Sequence, residues 1–248
     1  MSDAVLADFS RQVTQHVTTT LAEAAPELRR AAEVVVRAGR AGRVVHTTGA
    51  GHSLAGVVET FFRAGGLSFV RPVWHPDLLP LNGALRSTEA ERTPGLGREV
   101  VGAAGLTAGD VLVIFSSSGI NHYPVEAALT ASEAGATVIA LTSRSASDQA
   151  PLRAGHRLHE IADVVLDTRV PPGDASWPTD APRTAPLSSI VNAAMWDAVL
   201  VLVHELDPDL PLWLSANIAA PAGSNEEVAD RYAAQVPELR AGLSVPPA

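Results

Sequence analysis

The sequence contains no cysteine, and none of its 248 residues is lysine. Without Cys there can be no disulfide, catalytic thiolate, Fe–S cluster or Cys-based zinc site. Without Lys there can be no Schiff base, no internal PLP aldimine and no Walker A loop, because each needs an amine. All 18 basic residues are Arg, set against 27 Asp and Glu, for a net charge of −9. Such a balance excludes a nucleic-acid partner held by a basic face. It permits an anion held by backbone N–H groups and hydroxyls. Arg in place of Lys, beside much Ala, Val and Pro, reads as genome bias rather than function. Met1-Ser2-Asp3-Ala4 lacks the basic and apolar regions of a signal peptide. The most apolar stretch, Ala193 to His204, is broken by Asp197 and is too short to span a bilayer. A cytoplasmic protein with no membrane partner is expected.

Hydrophobic residues make up 46% and charged ones 18%, so the chain can bury a sizeable core. Helical periodicity places a first helix up to about Ala25, with Val5, Phe9, Val13 and Val17 on one face. A second runs from Pro26 to Ala38. The period then changes. Arg43–Thr48, Leu67–Val73, Val111–Phe115, Thr137–Leu141 and Ala162–Leu166 read as apolar strands. Between and after them, helices are expected over Ser53–Ala64, Pro124–Ala134, Ser188–Glu205 and Asn225–Ala234. Nearly continuous apolar strands alternating with helices predict an open parallel sheet covered on both faces, a flavodoxin-like α/β/α sandwich. A helical arm over 1–40 would precede a domain over 41–248. Segments 75–98, 143–160 and 168–187 read as long irregular loops, a place where function often sits.

Ligands of a doubly wound sheet bind beyond the carboxyl ends of its strands. Two turns fall there. Gly49-Ala50-Gly51-His52-Ser53 fails as a dinucleotide fingerprint, because the third glycine position holds Leu54. Gly51-His52-Ser53-Leu54-Ala55 comes near a nucleophile elbow but follows the first strand. It can also be a backbone nest for an anion, with Ser53 as an extra donor, or a plain glycine turn. Ser116-Ser117-Ser118-Gly119-Ile120-Asn121 offers three hydroxyls and an amide ahead of a helix, enough to wrap a phosphate with neutral donors.

In order and spacing, these two turns resemble the signature of the sugar isomerase (SIS) domain, Gly-x-Gly-x-Ser followed by Ser-x-Ser-Gly-x-Thr, with Asn121 in the usual Thr place. The resemblance covers about residues 30–206. Phe62-Arg63-Ala64-Gly65-Gly66, Ser87-Thr88-Glu89-Ala90-Glu91-Arg92 and Ser215-Ala216-Asn217 resemble stand-alone bacterial members. The resemblance implies a five-stranded parallel α/β/α sandwich, a homodimer or higher homo-oligomer, and a phosphorylated sugar ligand. It implies that Ser53, Ser116, Ser118 and Asn121 hold the phosphate, with Gly51, Ser117 and Gly119 in the same turns.

SIS relatives include aldose–ketose isomerases, a muramic acid 6-phosphate etherase and non-catalytic sensors. The two enzyme classes begin by removing the C2 proton of an open-chain sugar, work that suits a carboxylate of raised pKa. The candidates are Glu59, Glu89 and Glu91, with His52 as a proton shuttle and Asn192 as a further sugar contact. Glu59 departs from the etherase pattern, where the helix glutamate stands a turn later, at Arg63 here. His156, His159 and Glu160 make a weak metal set, and no cofactor is expected. The first expectation is cofactor-free elimination of water across C2–C3 of an N-acetylhexosamine 6-phosphate, N-acetylglucosamine 6-phosphate foremost. The alternatives are an aldose–ketose isomerase and a binding module without chemistry.

Overall fold

The computed structural model describes residues 2–215, 217 and 224–241. Helices α1 (Ser2–Glu23) and α2 (Ala25–Arg40) come first, with Pro26 in the opening turn of α2, where its missing N–H costs nothing. Next come β1 (Val45–Gly49), a 3-10 turn at Gly51–Ser53, α3 (Leu54–Thr60) and β2 (Val70–Pro72). Then follow α4 (Ala84–Arg92), α5 (Leu96–Ala104), β3 (Val111–Phe115), α6 (His122–Glu133) and β4 (Thr137–Thr142). The chain continues through α7 (Arg144–Gln149), α8 (Leu158–Ile161), β5 (Val164–Asp167), β6 (Ala175–Trp177), β7 (Thr184–Pro186), α9 (Ser188–Leu206) and α10 (Ser224–Tyr232).

The main sheet has the order β2-β1-β3-β4-β5, and every pairing in it is parallel. Alternate residues of each strand point to opposite faces. On one face Val111, Val113, Phe115, Ile139 and Leu141 join the core formed with Val35 of α2 and Met195 and Val199 of α9. On the other, Leu112, Ile114, Val138 and Ala140 pack with Val101 of α5 and Ala127, Ala128 and Ala131 of α6. The result is a three-layer α/β/α sandwich. The helix layers lie close because glycine permits it. A Cβ on Gly56 of α3 would sit 2.6 Å from the Phe115 ring, and one on Gly97 of α5 would sit 2.4 Å from the Tyr123 carbonyl oxygen.

The strand order reverses between β1 and β3, whose last paired residues are Gly49 and Phe115. The crevice of an open α/β sheet forms at such a switch point. Both candidate turns leave the sheet there, side by side.

Several expectations need correction. The three long loops are not irregular. Segment 75–98 carries α4 and the start of α5, so Glu89 and Glu91 stand on a helix. Segment 143–160 contains α7 and α8, and 168–187 contains the antiparallel β6–β7 pair. The α4 sequence is polar and lacks a clear apolar stripe, and Gly and Pro punctuate both of its ends, which hid the helix. The helix expected over Ser53–Ala64 ends at Thr60, and β2 spans Val70–Pro72 rather than Leu67–Val73. Leu67 instead forms an antiparallel bridge with Leu212.

The most apolar stretch also proves longer than read. It belongs to α9, whose 19 residues are long and apolar enough by length and composition to cross a membrane. Here Val191, Met195, Trp196, Val199 and Val203 of that helix are buried, and α9 packs against α2 and α3. Asp174, in the loop Gly173-Asp174-Ala175, caps it from outside. Its Oδ1 accepts from the N–H groups of Leu187 and Ser188 at 2.9 and 2.7 Å, and its Oδ2 accepts from the Ser188 hydroxyl at 2.7 Å. The β6–β7 pair in turn holds α1, through Gln12 Nε2 to the Ser176 carbonyl at 2.7 Å and an edge-to-face contact of Phe9 with Trp177.

Candidate functional site

The first turn is shaped by close backbone approach. A Cβ on Gly49 would lie 3.0 Å from the Ser53 carbonyl oxygen, and Gly51 takes φ +59°, a region that disfavours side chains. The turn leaves Ser53 half-buried and His52 exposed. The Ser53 hydroxyl makes no capping bond to α3 and is left to donate elsewhere.

The second turn is pinned from beneath. The Ser117 carbonyl accepts from the Ser143 N–H at 2.9 Å and from the Thr142 hydroxyl at 3.3 Å. The Gly119 carbonyl accepts from the Leu158 N–H at 2.8 Å. Ser116 is buried, and its Oγ accepts from the Gly119 N–H at 3.2 Å. Ser117 and Ser118 stay half-buried. Gly119 has φ +59°, and a Cβ there would meet Leu158 Cβ and Thr142 Oγ1, both at 2.9 Å.

Asn121 stands at the N-cap of α6 yet makes no capping bond with its side chain. That side chain is committed elsewhere. Its Oδ1 accepts from Arg153 Nη1 at 2.6 Å, and Asn121 stands near enough to Glu91 to act on its carboxyl. Burial pushes the Glu91 carboxyl above the ordinary glutamate range. Asn121 and the charges of Arg92 and Arg153 pull the other way. The 3-10 turn carrying His52 and Ser53 packs against α4, as does α6. Helix α4 thus brings Glu91 to a place shared by both turns. A half-buried carboxylate whose proton affinity is raised is better equipped than a free one to take and return a proton.

Arg153 was missed by sequence reading. It stands in a Pro- and Gly-containing stretch between α7 and α8 with no motif around it. The one clue was chemical: a carboxylate beside a neutral hydroxyl loop calls for a balancing cation, and the chain has only Arg and His to supply one.

The other candidates lie elsewhere in the chain. Glu59 is half-buried near the end of α3 and pairs with Arg63 at 2.5 Å. Glu89 lies about 200° around α4 from Glu91 at 3.6 residues per turn. It lines a separate cavity of about 400 Å³ with Asp77, Arg86 and Glu99. Asn192 is buried on α9, and its Oδ1 has no hydrogen-bond partner. His156 is exposed, and His159 Nε2 faces Asp148 at 3.5 Å. Among the described residues no three His, Cys, Asp or Glu side chains gather as a metal set. His204 is exposed beside Leu200, Leu210 and Leu212. In the late run, Ser215 Oγ accepts from the Asn217 N–H, and Ala216 lies outside the described residues.

The sequence profile of the SIS domain matches residues 8–143, more than half of the chain. The chain belongs to the SIS domain family. Among proteins similar to this SIS chain is a UPF0309 protein of Brucella canis. It is 37% identical over 222 residues, which cover 87% of this chain and 90% of the relative. Another UPF0309 protein, from Geobacillus kaustophilus, is 33% identical over 242 residues, 94% of this chain and 96% of its own length. Solved structures share the SIS fold. A phosphoheptose isomerase from Francisella tularensis aligns with a TM-score of 0.55 at 19% identity, covering 83% of this chain and 99% of that one. One from Neisseria gonorrhoeae gives 0.50 at 22% identity, covering 81% and 97%.

Proposed function

We propose that this SIS protein is a sugar-phosphate enzyme that moves the C2 proton of an open-chain phosphorylated aldose with Glu91. The observation that carries the reading is the convergence of Glu91, at raised proton affinity, with the hydroxyl turn at the sheet's switch point. The phosphate is held by Gly51, Ser53, Ser116, Ser117, Ser118 and Gly119, through hydroxyls and N–H groups at helix starts, so no Lys is needed. That places the sugar carbons over α4. Glu91 takes the C2 proton, the C–H electron pair forms a C1–C2 double bond and the carbonyl pair moves onto O1, giving an enolate (an enediolate where C2 bears a hydroxyl).

Two outcomes follow, and each has an observation behind it. Isomerisation returns the proton to C1 and needs only one carboxylate. Glu91 is the carboxylate whose proton affinity is raised, while Glu59 pairs with Arg63 and Glu89 lines another cavity, which supports this outcome. Elimination instead expels the C3 oxygen as water, which needs an acid as well. His52 supplies one, standing on the turn that packs against α4. An N-acetyl group on C2 disfavours a ketose and so selects this second outcome, as on N-acetylglucosamine 6-phosphate. Neither outcome needs a metal or an organic cofactor for its proton bookkeeping. The exposed apolar side chains of Val58, Phe62 and Val201 suit the cover of a second copy, so we read the protein as a homodimer.

The test is incubation of the purified protein with glucose 6-phosphate and with N-acetylglucosamine 6-phosphate, followed by mass spectrometry and proton NMR. A ketose of unchanged mass from the first supports isomerisation. A product lighter by one water from the second supports elimination. Binding of both without change of either sugar contradicts the enzyme reading and leaves a binding module.

A further inference from the structure

The turn Ser116–Asn121 offers a phosphate neutral donors, while the chain as a whole carries a net charge of −9. Hydroxyls and N–H groups can satisfy phosphate oxygens, but they bring no full charge to meet an anion that the protein as a whole repels. A cation stands against that turn. Arg153 Nη1 donates to Asn121 Oδ1 at 2.6 Å, and Asn121, the last residue of the turn, is only 7% exposed.

The segment that carries Arg153 is fastened to the same turn. At its base Arg157 donates to the Ser147 carbonyl and, at 3.1 Å, to the Ala150 carbonyl. The next residue, Leu158, donates its N–H to the Gly119 carbonyl at 2.8 Å. Pro151, Leu152 and Arg153 are exposed, and Gly155 turns the chain back with φ +77°. Residues 150–157 thus form a strap tied to the turn at Gly119 and at Asn121, with a guanidinium at the second tie.

That guanidinium has donors to spare. Arg offers five N–H groups, and the bond to Asn121 takes one of them. Arg157 faces Asp148 Oδ1 at 4.0 Å, but among the described residues no carboxylate pairs with Arg153. Its acceptor is a neutral amide oxygen. A phosphate oxygen is the better one, because a hydrogen bond charged on both sides is stronger, and the planar fork of Arg matches two oxygens of one phosphate.

We propose that Arg153 is a phosphate-binding residue of this site, held in place by Asn121 until the ligand arrives. When a phosphorylated sugar enters, the guanidinium exchanges Asn121 Oδ1 for phosphate oxygens. The Asn121 side chain is then released to make the N-cap bond to α6 that it does not make now. The inference rests on the reading of Ser116–Asn121 as the phosphate turn, and its test separates the two.

The experiment is calorimetric titration of the full chain with inorganic phosphate and with glucose 6-phosphate at fixed ionic strength. Arg153→Leu is expected to weaken both by roughly ten- to a hundredfold, the scale of a hydrogen bond to a charged group. Arg153→Lys keeps the charge without the fork and should recover part of the loss. Arg37, exposed on α2, lies beside the starts of β3 and β4, at the other end of the sheet. Arg37→Leu removes the same charge there and should leave binding within about twofold, as screening of a distant charge requires. Ser118→Ala reads the turn itself and should weaken binding as well.

A strap that merely braces the turn would also weaken binding when cut, so contact with the ligand is read separately. The Arg153 Nε–H signal in nitrogen-15 NMR, assigned by its loss in Arg153→Lys, should move as phosphate saturates the protein. Unchanged affinity in Arg153→Leu overturns the proposal, and so does a signal that stays still while phosphate binds. Loss of binding in Ser118→Ala with none in Arg153→Leu keeps the phosphate turn and removes Arg153 from it. Loss in Arg153→Leu with none in Ser118→Ala keeps the anion-binding role of Arg153 and overturns the reading of the turn. A wild-type protein that binds neither ligand overturns both. Circular dichroism of each variant separates these results from unfolding.

Discussion

The Tyr123 hydroxyl meets Thr48 Oγ1 at 2.6 Å in the buried layer between β1 and α6. Thr48 spends its own proton on the Val73 carbonyl at 2.7 Å, so it is Tyr123 that donates. This bond ties the strand leading into the first turn to the helix leaving the second. The two halves of the crevice are thereby held in one register. Burial also pushes the Tyr123 phenol up to about 12, so the donor keeps its proton across the working range.

Breaking that tie from its two ends should differ in cost. Tyr123→Phe leaves only an acceptor lone pair unmatched and should cost about 1 kcal/mol. Thr48→Val leaves both the phenolic O–H and the Val73 carbonyl buried without this partner, and should cost about 2–3 kcal/mol. Urea denaturation midpoints at constant m-value would show it. Equal costs would mean that Tyr123 has another partner.

Helix α5 meets α6 at Gly97, where no side chain fits. An added Cβ would lie 2.4 Å from the Tyr123 carbonyl oxygen and 3.0 Å from the Ala127 nitrogen, both rigid backbone atoms. Gly97→Ala should therefore destabilise by roughly 1–3 kcal/mol despite the gain in helix propensity. The reverse sign in thermal unfolding would show that the two helices can slide apart.

Burial depresses His46 to about 4, with Arg71 pushing the same way and Asp110 opposing. Its folded value lies below the unfolded one near 6.5, so the unfolded chain binds the extra proton between them. The stability that neutral His46 contributes is complete above pH 6.5 and is lost as pH falls through about 4. The loss is on the order of 3 kcal/mol. His46→Val should flatten the fall in stability between these two pH values relative to wild type. Parallel curves for the two proteins would remove His46 from the account of acid sensitivity.

Asp174 should be worth more than a surface carboxylate because it satisfies the start of α9. Asp174→Ala should cost about 1–2 kcal/mol, and Asp174→Asn much less, since the amide oxygen can still accept. Hydrogen exchange at Leu187 and Ser188 would report the cap directly.

The strands were legible because their residues are buried on both faces and leave continuous apolar runs, as in Val111–Phe115. The turns after β1 and β3 were legible because the sharp exits from the strands call for glycine, at Gly51 and Gly119 with positive φ and at Gly49 against the Ser53 carbonyl. Helix α4 was not, because its burial is confined to Ser87 and Ala90 and so writes no stripe. That also concealed the difference between Glu89 and Glu91, which are two apart in sequence and on opposite sides of the helix. Arg153 was illegible for another reason: its partner is 32 residues away and contact of that kind carries no local pattern. The ion pair of Glu59 with Arg63 was legible in its spacing, the relation four residues along that a helix favours.

The central claim is that Glu91 moves the C2 proton, and solvent deuterium reads that step whatever product follows. The protein is incubated with glucose 6-phosphate and with N-acetylglucosamine 6-phosphate in deuterium oxide, and proton NMR follows the C2 signal of each sugar and of any product. The account predicts C2 exchange or isotope-labelled product with the wild-type protein and at least one sugar. It predicts a loss on the order of a hundredfold or more in Glu91→Gln, the scale of one acid–base group, and retained exchange in Glu89→Gln. Exchange that survives in Glu91→Gln and vanishes in Glu59→Gln would contradict the account and move the base to α3.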